Sequence, residues 1–343
     1  MNYRTLGRTG VRVSELCLGC MNFGWKTPED ESMDIIDRAI DSGINFLDTA
    51  NVYSRGTSET IVGKALQRNG QRGRIVLATK VHGRMDDDDV NAAGNNRRHI
   101  IEQCEESLKR LQTDHIDLYQ IHRPRSDTPI DETLRALDDL IRAGKVRYVG
   151  TSTFPAWRVM ESLWVAKELG LNRFVSEQPP YHLLDRSIER ELVPLAQTYG
   201  LAILPWSPLA RGFLTGKYRR GEEIPGDTRL EGDLQGPFKK RTQQHFSERA
   251  YDLLDVVERL AAEKGCTPSQ FALAWVMGQP GVTSAIIGPR TLEQLEDNLG
   301  AVQVAISEAD RSRIDEVAEP ELAIVPCYHG SMIDFKPSQF GWQ

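Results

Sequence analysis

The feature that most constrains the fold is a unit that recurs eight times along the 343 residues. Each unit has a short apolar run rich in strand-forming residues, then a polar turn, then an amphipathic helical pattern. We place the strands at 14–19, 45–50, 74–81, 117–123, 146–152, 173–178, 201–207 and 283–288. Strands that alternate with helices predict a parallel sheet connected by right-handed crossovers. Eight such pairs predict a (β/α)8 TIM barrel, because a doubly wound sheet usually contains fewer strands.

Segments outside this repeat predict one hairpin and two long loops. Residues 3–13 contain two short β patterns around Arg8-Thr9-Gly10, which predicts an N-terminal β-hairpin. Residues 82–97 follow the third strand and residues 210–245 follow the seventh, and loops of this length at the C-terminal face usually shape a site. The sequence contains no short repeat and no low-complexity linker. We therefore expect residues 1–343 to form a single barrel domain.

Charge and cysteine usage narrow the class of protein. A net charge of −7 and a pI near 5.6 argue against nucleic acid as a partner. No apolar run is long enough to cross a bilayer, so we expect no membrane segment. Five scattered cysteines are typical of reduced thiols in a cytoplasm, and the opposite faces expected for Cys17 and Cys20 argue against a redox or metal pair. The sequence predicts no metal site and no particular oligomeric state.

Residues 43–66 join the second strand to its helix and carry the first candidate site residues. Asp48 lies near the end of the strand, and Tyr53 follows in the turn beyond it. After Gly56 the residues Thr57-Ser58-Glu59 predict a helix cap, and apolar residues then recur at helical spacing. A carboxylate and a phenol at this junction lie where barrel enzymes place their sites.

Two further strands end in ionisable residues. Lys80 ends the third strand and His122 ends the fourth. Val76 and Ala78 share a strand face with Lys80, so apolar side chains should fill the barrel below a polar rim. Each polar residue alone has an ordinary explanation, as a helix cap, a rim lysine or a hydrogen-bonded histidine. Their convergence with Asp48 at one end of three consecutive strands predicts a catalytic group.

This combination suits proton transfer to a carbonyl oxygen. A phenol has an ordinary pKa of about 10 and is a poor acid near neutrality. A cation about 4 Å away, at an effective dielectric near 20, favours the phenolate by about 4 kcal/mol, or about three pKa units. Lys80 can supply that cation, Asp48 can hold it, and His122 can donate a hydrogen bond to the carbonyl or relay its proton. No side chain supplies a hydride, so the group implies a nicotinamide cofactor.

These residues and several longer segments resemble the aldo-keto reductase family over nearly the whole chain. The segments are GINFLDTANVYSRGTSETIVGKAL (43–66), Thr79-Lys80, DLYQIHRP (117–124), SEQPPYHLLDR (176–186), LPWSPLARGFLTGKY (204–218) and GPRTLEQLEDNLGA (288–301). The resemblance implies a barrel that reduces an aldehyde or ketone with NADPH. It also implies a catalytic tetrad of Asp48, Tyr53, Lys80 and His122, with Tyr53 as the general acid.

The same resemblance implies that NADP(H) binds without a Rossmann glycine motif, and no GxGxxG opens a helix in this sequence. Ser152 and Gln178 would hold the carboxamide, and Tyr181 or Trp206 would lie near the nicotinamide ring. The residues implied for the pyrophosphate are Ser207, Leu209, Arg211 and Lys217. The residues implied for the adenosine end are Gly288, Arg290, Gln294 and Asn298. The planar guanidinium of Arg290 suits a 2′-phosphate.

Two positions depart from the family. Thr153 stands where many members have asparagine after the serine, which weakens one expected carboxamide contact. Gln294 stands where some branches place a basic residue on the 2′-phosphate, which weakens the preference for NADP over NAD. The resemblance still favours NADP(H).

The small-molecule carbonyl substrate is expected beside Tyr53 and His122. The segments expected to line its pocket are Met21, Trp25, the loops at 82–97 and 210–245, and the tail around Tyr328 and Phe335. Aromatic side chains there suit an aldehyde or ketone with apolar or ring character. The sequence leaves the identity of the substrate and the direction of the reaction open.

Two other functions compete with the reductase. The family includes channel-associated members, so a regulatory or redox-sensing subunit that binds nicotinamide but turns over little is the main alternative. A metal-dependent hydrolase or an isomerase is the third, and it is disfavoured because the strand ends carry no clustered His/Asp set. Single-turnover oxidation of NADPH without steady turnover would indicate the regulatory subunit.

Overall fold

A short antiparallel hairpin precedes a ring of parallel strands in the computed structural model, which describes residues 1–235 and 239–326. The hairpin strands are β1 (Tyr3–Thr5) and β2 (Arg12–Ser14). The ring strands are β3 (Leu16–Gly19), β4 (Phe46–Asp48), β5 (Val76–Val81), β6 (Ile116–Ile121), β7 (Val146–Ser152), β8 (Ser176–Gln178), β9 (Ala202–Ile203) and β10 (Ala285–Ile287). Strands adjacent in the chain pair in parallel from β3 to β9, and β10 pairs with β3.

The ring closes between β9 and β10. A parallel bridge joins Ile203 to Val282, the amide of Thr283 donates to Ile203 O at 2.8 Å, and the amide of Ile286 donates to Pro205 O at 2.9 Å. The predicted fold class is therefore confirmed: the described residues form a (β/α)8 barrel with an N-terminal hairpin. The single domain over residues 1–343 stays a prediction.

Helices follow the strands and pack around the ring. Their bounds are α1 (Glu29–Asp41), α2 (Thr57–Asn69), α3 (Arg97–Leu111), α4 (Ile130–Arg142), α5 (Ala156–Glu168), α6 (Leu192–Tyr199), α7 (Arg229–Leu234), α8 (Lys239–Gln243), α9 (Glu248–Lys264), α10 (Pro268–Met277), α11 (Leu292–Gly300) and α12 (Glu308–Asp315). Gly43, Gly144 and Gly200 follow α1, α4 and α6 with positive φ angles, as the sequence predicts for helix stops. Within the described chain, no helix combines the length and apolar character needed to cross a membrane.

The core has an inner part within the ring and an outer part between strands and helices. Val76, Ala78 and Leu118 belong to the inner cluster, which also contains Leu6 and Val13 of the hairpin segment. The hairpin therefore covers the N-terminal end of the barrel. Alternation along the strands is as predicted, and it leaves the polar groups above the inner cluster.

The same alternation separates Cys17 from Cys20. Cys17 packs in the inner cluster and Cys20 packs in the outer one. The prediction that these cysteines lie on opposite faces is confirmed.

Two local predictions were wrong. Gly56, with φ of 96°, caps α2 without a side-chain hydrogen bond, so Thr57-Ser58-Glu59 is not the predicted cap. Ser58 Oγ instead donates to Cys20 O at 2.7 Å, which fixes the helix against β3. The strand predicted at 201–207 shrinks to Ala202–Ile203, because Pro205 has no N–H to donate to the sheet.

Candidate active site

Asp48, Lys80 and Tyr53 meet at the C-terminal ends of β4 and β5. Lys80 is fully buried, and its Nζ donates to Asp48 Oδ1, to Thr49 O at 2.9 Å and to Tyr53 Oη at 3.2 Å. Burial by itself would lower the pKa of Lys80, but the charge of Asp48 and the contacts with Asp48 and Tyr53 outweigh it, so that pKa is raised. The result is a charged ammonium held against a phenol.

His122 completes this group from the end of β6. Its ring meets the ring of Tyr53 edge to face, with centroids 5.6 Å apart at an interplanar angle of 84°. Burial, then the charges of Arg123, Lys80 and His82, hold the pKa of His122 well below its usual value. A neutral imidazole therefore faces the phenol near neutral pH, and one of its nitrogens carries a hydrogen that it can donate.

The second oxygen of Asp48 is held by two buried amides. Asp48 Oδ2 accepts from Gln120 Nε2 at 3.0 Å and from Gln178 Nε2 at 2.9 Å. Gln178 was predicted as a site residue, whereas Gln120 was not. The sequence feature that could have identified Gln120 is a polar amide at a strand position where the barrel interior usually holds an apolar side chain.

The turn after Tyr53 is strained. Ser54 and Arg55 have φ angles of 49° and 51°, and Gly56 follows at 96°. Left-handed backbone costs a residue with a side chain about 1–2 kcal/mol. Strain of this kind gathers at functional sites and persists where surrounding contacts enforce it.

A cleft of about 1170 Å³ opens above the four side chains, and Asp48, Tyr53 and His122 line it. The predicted cofactor and substrate residues that also line it are Met21, Trp25, Gln178, Trp206, Ser207, Leu209, Arg211, Lys217, Gly288, Arg290, Gln294 and Asn298. The cleft therefore brings together residues from both halves of the chain. Their individual roles stay predictions.

Two residues that were predicted to bind the cofactor are not among the residues that line the cleft in the described part of the chain. Ser152 is fully buried, and its Oγ donates to Gln178 O at 2.9 Å. Tyr181 is also buried, donates to Glu189 Oε1 at 2.6 Å and packs against Trp275. Of the two aromatic candidates for the nicotinamide ring, the structure places Trp206 rather than Tyr181 at the cleft.

Thr153 follows Ser152 with a left-handed φ of 60°. Asparagine tolerates this conformation better than a β-branched residue does. The Oγ1 of Thr153 accepts a hydrogen bond from Arg123 Nη1 at 2.9 Å, which ties the end of β7 to the end of β6.

The two long loops differ from each other. The described lining of the cleft contains residues of 210–245 but none of 82–97, so the prediction that 82–97 lines the pocket was wrong. One contact of that loop is the exposed ion pair of Arg55 with Asp87 at 3.2 Å. The predicted contribution of the tail around Tyr328 and Phe335 lies outside the described residues.

The backbone after β9 turns through several left-handed residues beside a lysine. Ser207, Ala210, Arg211 and Gly212 have φ angles of 58°, 49°, 60° and 91°, and the amide of Arg211 donates to Ser207 Oγ at 3.0 Å. A Cβ on Gly212 would lie 3.0 Å from Lys217 Nζ, so the ammonium closes over this backbone. The amides of Ala210 and Gly212 donate to Ser207 O at 2.8 Å and to Leu209 O at 2.9 Å, so these bonds hold the turn in its shape. The ammonium of Lys217 beside the turn suits an anionic group such as a pyrophosphate.

Cations crowd this end of the cleft. Burial, then the charge of Arg290, lowers the pKa of Lys217. A phosphate between the two would relieve that repulsion. The donors present therefore fit a cofactor with more than one phosphate.

Acidic residues of 210–245 hold three of the cations, which the sequence did not predict. Asp227 pairs with Lys26 at 2.7 Å and its carbonyl accepts from Arg290 Nη1 at 3.1 Å. Asp233 pairs with Arg211 at 2.9 Å. These contacts join residues far apart in the chain, so no local pattern reveals them. The described residues contain no group of three or more His, Cys, Asp or Glu that could hold a metal.

The fold and the site define a barrel oxidoreductase in which a lysine, an aspartate, a tyrosine and a histidine converge at the strand ends. Residues 15–319 match the aldo/keto reductase family. The chain belongs to that family.

Its relatives carry both enzyme and channel names. The chain is 42% identical to an uncharacterized oxidoreductase, YrpG, of Bacillus subtilis (strain 168), over 89% of this chain and 92% of that protein. It is 35% identical to versiconal hemiacetal acetate reductase of Aspergillus parasiticus, over 94% and 98%. It is 37% identical to a probable voltage-gated potassium channel subunit beta of Oryza sativa subsp. japonica, over 89% and 92%.

Proposed function

We propose that this protein is an NADPH-dependent carbonyl reductase that converts an aldehyde or ketone to an alcohol. The observation that carries the proposal is the position of Lys80 Nζ, 3.2 Å from Tyr53 Oη, anchored on the buried carboxylate of Asp48. The phenol and this ammonium lie at the base of a cleft large enough for a dinucleotide and a small substrate. When bound, the nicotinamide supplies a hydride to the carbonyl carbon.

The side chains supply the proton and control its transfer. Tyr53 gives the proton of its Oη to the carbonyl oxygen as negative charge develops there. Lys80 stabilises the phenolate that remains, and Asp48 keeps the ammonium in place. The neutral His122 donates a hydrogen bond to the same oxygen and orients the carbonyl.

The donors of the cleft support NADPH over NADH. Arg211 and Lys217 would hold the pyrophosphate, and Gln178 would hold the carboxamide. Arg290 would hold the 2′-phosphate, and its pairing with Asp227 shows that its guanidinium accepts an anionic partner. Gln294 supports this position, because its Oε1 accepts from the amide of Arg290 at 2.9 Å.

A fluorescence titration of the protein with NADPH and NADH tests the cofactor. Quenching by NADPH at much lower concentration than by NADH is expected. Equal affinity would remove the NADP preference, and the absence of binding by either would remove the reductase. A panel of aldehydes and ketones then tests turnover, and it should include ring compounds because Trp25 and Trp206 line the cleft.

A regulatory subunit is the second candidate, supported by the similarity to proteins named as potassium channel beta subunits. Such a subunit would bind NADPH tightly and oxidise it once, with slow exchange of the product. Rapid-mixing experiments with excess carbonyl separate the two functions. A single burst without steady turnover would favour the regulatory subunit, whereas many turnovers per site would favour the reductase. The cytoplasmic location stays a prediction.

A further inference from the structure

Gln120 lies directly beneath the site without taking part in the cleft lining. It is an inward-facing residue of β6, fully buried, two positions before His122. Asp48 and Gln178 above it both line the cleft. Gln120 is therefore placed to act on substrate and cofactor only through other residues.

The hydrogen bonds of Gln120 reach both of these neighbours. Its Nε2 donates to Asp48 Oδ2 at 3.0 Å, and its Oε1 accepts from Gln178 Nε2 at 3.2 Å. A carboxylate only accepts hydrogen bonds, so the nitrogens of both amides must face Asp48. The three side chains form a closed triangle, because Gln178 Nε2 also donates to Asp48 Oδ2 at 2.9 Å.

The hydrogen bonds of this triangle leave one polar atom of the Gln178 side chain available to a ligand. Both hydrogens of its amide nitrogen are used, one on Asp48 and one on Gln120. Its Oε1 remains as an acceptor at the cleft, which matches the N–H2 group of a carboxamide. The other oxygen of Asp48 holds Lys80, which contacts Tyr53. A continuous path thus runs from the carboxamide position to the phenol.

Packing fixes Gln120 in this geometry. Gly150 lies beside it on β7, and a Cβ at that position would come within 3.3 Å of Gln120 Cγ. The side chain is therefore enclosed as well as hydrogen-bonded. Groups locked in this way can hold a catalytic constellation to a fraction of an ångström.

We propose that Gln120 is a positioning residue that sets Asp48 and Gln178 together, so that one hydrogen-bond network aligns the proton donor and the carboxamide holder. The proposal rests on the proposed reductase function. It predicts that loss of Gln120 disturbs proton transfer and carboxamide recognition in the same variant. A residue that only fills space would disturb neither.

Two variants and one control test this role. Gln120→Met keeps the length and volume but removes both hydrogen bonds. Gln120→Glu keeps the shape but places a second carboxylate against Asp48, where two like charges resist joint ionisation. Thr133→Val is the control, because Thr133 is equally buried but its Oγ1 donates to Asn95 O, away from the site.

The kinetic readouts are kcat, KM, the pH dependence of kcat and the primary isotope effect with deuterated NADPH. The binding readout is the ratio of the affinity for NADPH to the affinity for its 3-acetylpyridine analogue, which lacks the carboxamide N–H2. For Gln120→Met we expect kcat to fall about tenfold or more, as for loss of a hydrogen bond to a charged group, with a larger isotope effect. The affinity ratio should move toward one. For Gln120→Glu the pH profile of kcat should shift.

The outcomes separate this proposal from the proposed function. If Gln120→Met matches Thr133→Val in the affinity ratio, the pH profile and the isotope effect, the positioning role is overturned. If the wild type reduces no carbonyl in the panel, the reductase is overturned, and the affinity ratio alone still decides whether Gln120 positions Gln178. If Gln120→Met does not fold, Gln120→Glu decides by the same ratio and by its pH profile.

Discussion

At the scale of single residues, two buried basic groups of one site differ in charge state. Burial lowers the pKa of both Lys80 and His122. The pKa of Lys80 is nevertheless raised, because the negative charge of Asp48 lies against it. The largest charge effect on His122 comes from the cation Arg123, which lowers its pKa further. The site therefore holds a charged lysine and a neutral histidine near neutral pH. This arrangement supports the proposed acid role of Tyr53 and the proposed orienting role of His122.

Replacement of the phenol tests that assignment. Tyr53→Phe should lower kcat by about 10²–10⁴-fold, the usual contribution of a general acid, because the variant lacks the proposed proton donor. NADPH affinity should stay near that of the wild type. Steady-state kinetics and a fluorescence titration measure both quantities. Tyr3→Phe is the control, since Tyr3 donates to Gly43 O far from the site; a retained kcat in Tyr53→Phe would remove Tyr53 from the acid role.

Replacement of the guanidinium tests the cofactor preference. Arg290→Ala should weaken NADPH by about tenfold or more and NADH much less, because only NADPH has a 2′-phosphate. Dissociation constants from fluorescence quenching measure the difference. Lys26→Ala is the control: it removes the other ion pair to Asp227 and should affect the two cofactors alike. Equal losses in Arg290→Ala would mean that Arg290 does not recognise the 2′-phosphate.

At the scale of elements, strand alternation predicted which residues face the site, but no local rule predicted the turn that aims Tyr53. Lys80 and His122 follow from a period of two along their strands. The left-handed run from Ser54 to Gly56 depends on α3, because Arg110 packs on Gly56 and its Nε donates to the buried Glu59 at 2.7 Å. Arg110 lies far from Gly56 and Glu59 in the sequence, so a local pattern could not reveal these contacts. The predicted cap was therefore wrong.

A matched pair of glycine substitutions on α2 tests whether this contact positions Tyr53. A Cβ on Gly56 would lie 2.6 Å from Arg110 Cδ, whereas Gly70 at the other end of the helix has no atom within 4 Å. Both glycines have positive φ, so each alanine should cost about 1–2 kcal/mol of stability from backbone strain. Only Gly56→Ala should also lower kcat. Thermal unfolding and kinetics measure the pair; equal kcat values would mean that the contact does not position Tyr53.

At the scale of the whole molecule, eight strand–helix units were enough to predict the barrel and the end that carries the site. The positions of the long loops were not predictable, because they depend on which distant charges they meet. Asp87 pairs with Arg55 away from the cleft, whereas Asp227 pairs with Lys26, which lines the cleft. Acidic residues occur in both loops, so their presence alone does not show which loop reaches the cleft.

One buried carboxyl outside the tetrad links the stability of the molecule to pH. Glu177 of β8 is fully buried, and its Oε1 accepts from the amide of Phe154 at 3.0 Å. Burial raises its pKa from 4.5 to about 8, although hydrogen bonds from Thr151 and from the amides of Phe154 and Thr153 oppose the shift. Between these values the folded protein keeps a proton that the unfolded chain has lost. Stability must therefore fall as pH rises through this window, by up to about 1.4 kcal/mol per unit.

Glu177→Gln should remove that slope, because a neutral amide of the same shape cannot ionise and its Oε1 can still accept from Phe154. Relative to the wild type, the unfolding temperature of the variant should rise steadily as pH increases from about 5 to 8, and the difference should stop changing at lower pH. Thermal unfolding at several pH values measures both proteins. Glu168→Gln, at an exposed position of α5, is the control and should keep the wild-type slope. A wild-type slope in Glu177→Gln would mean that Glu177 is not the group that releases its proton on unfolding.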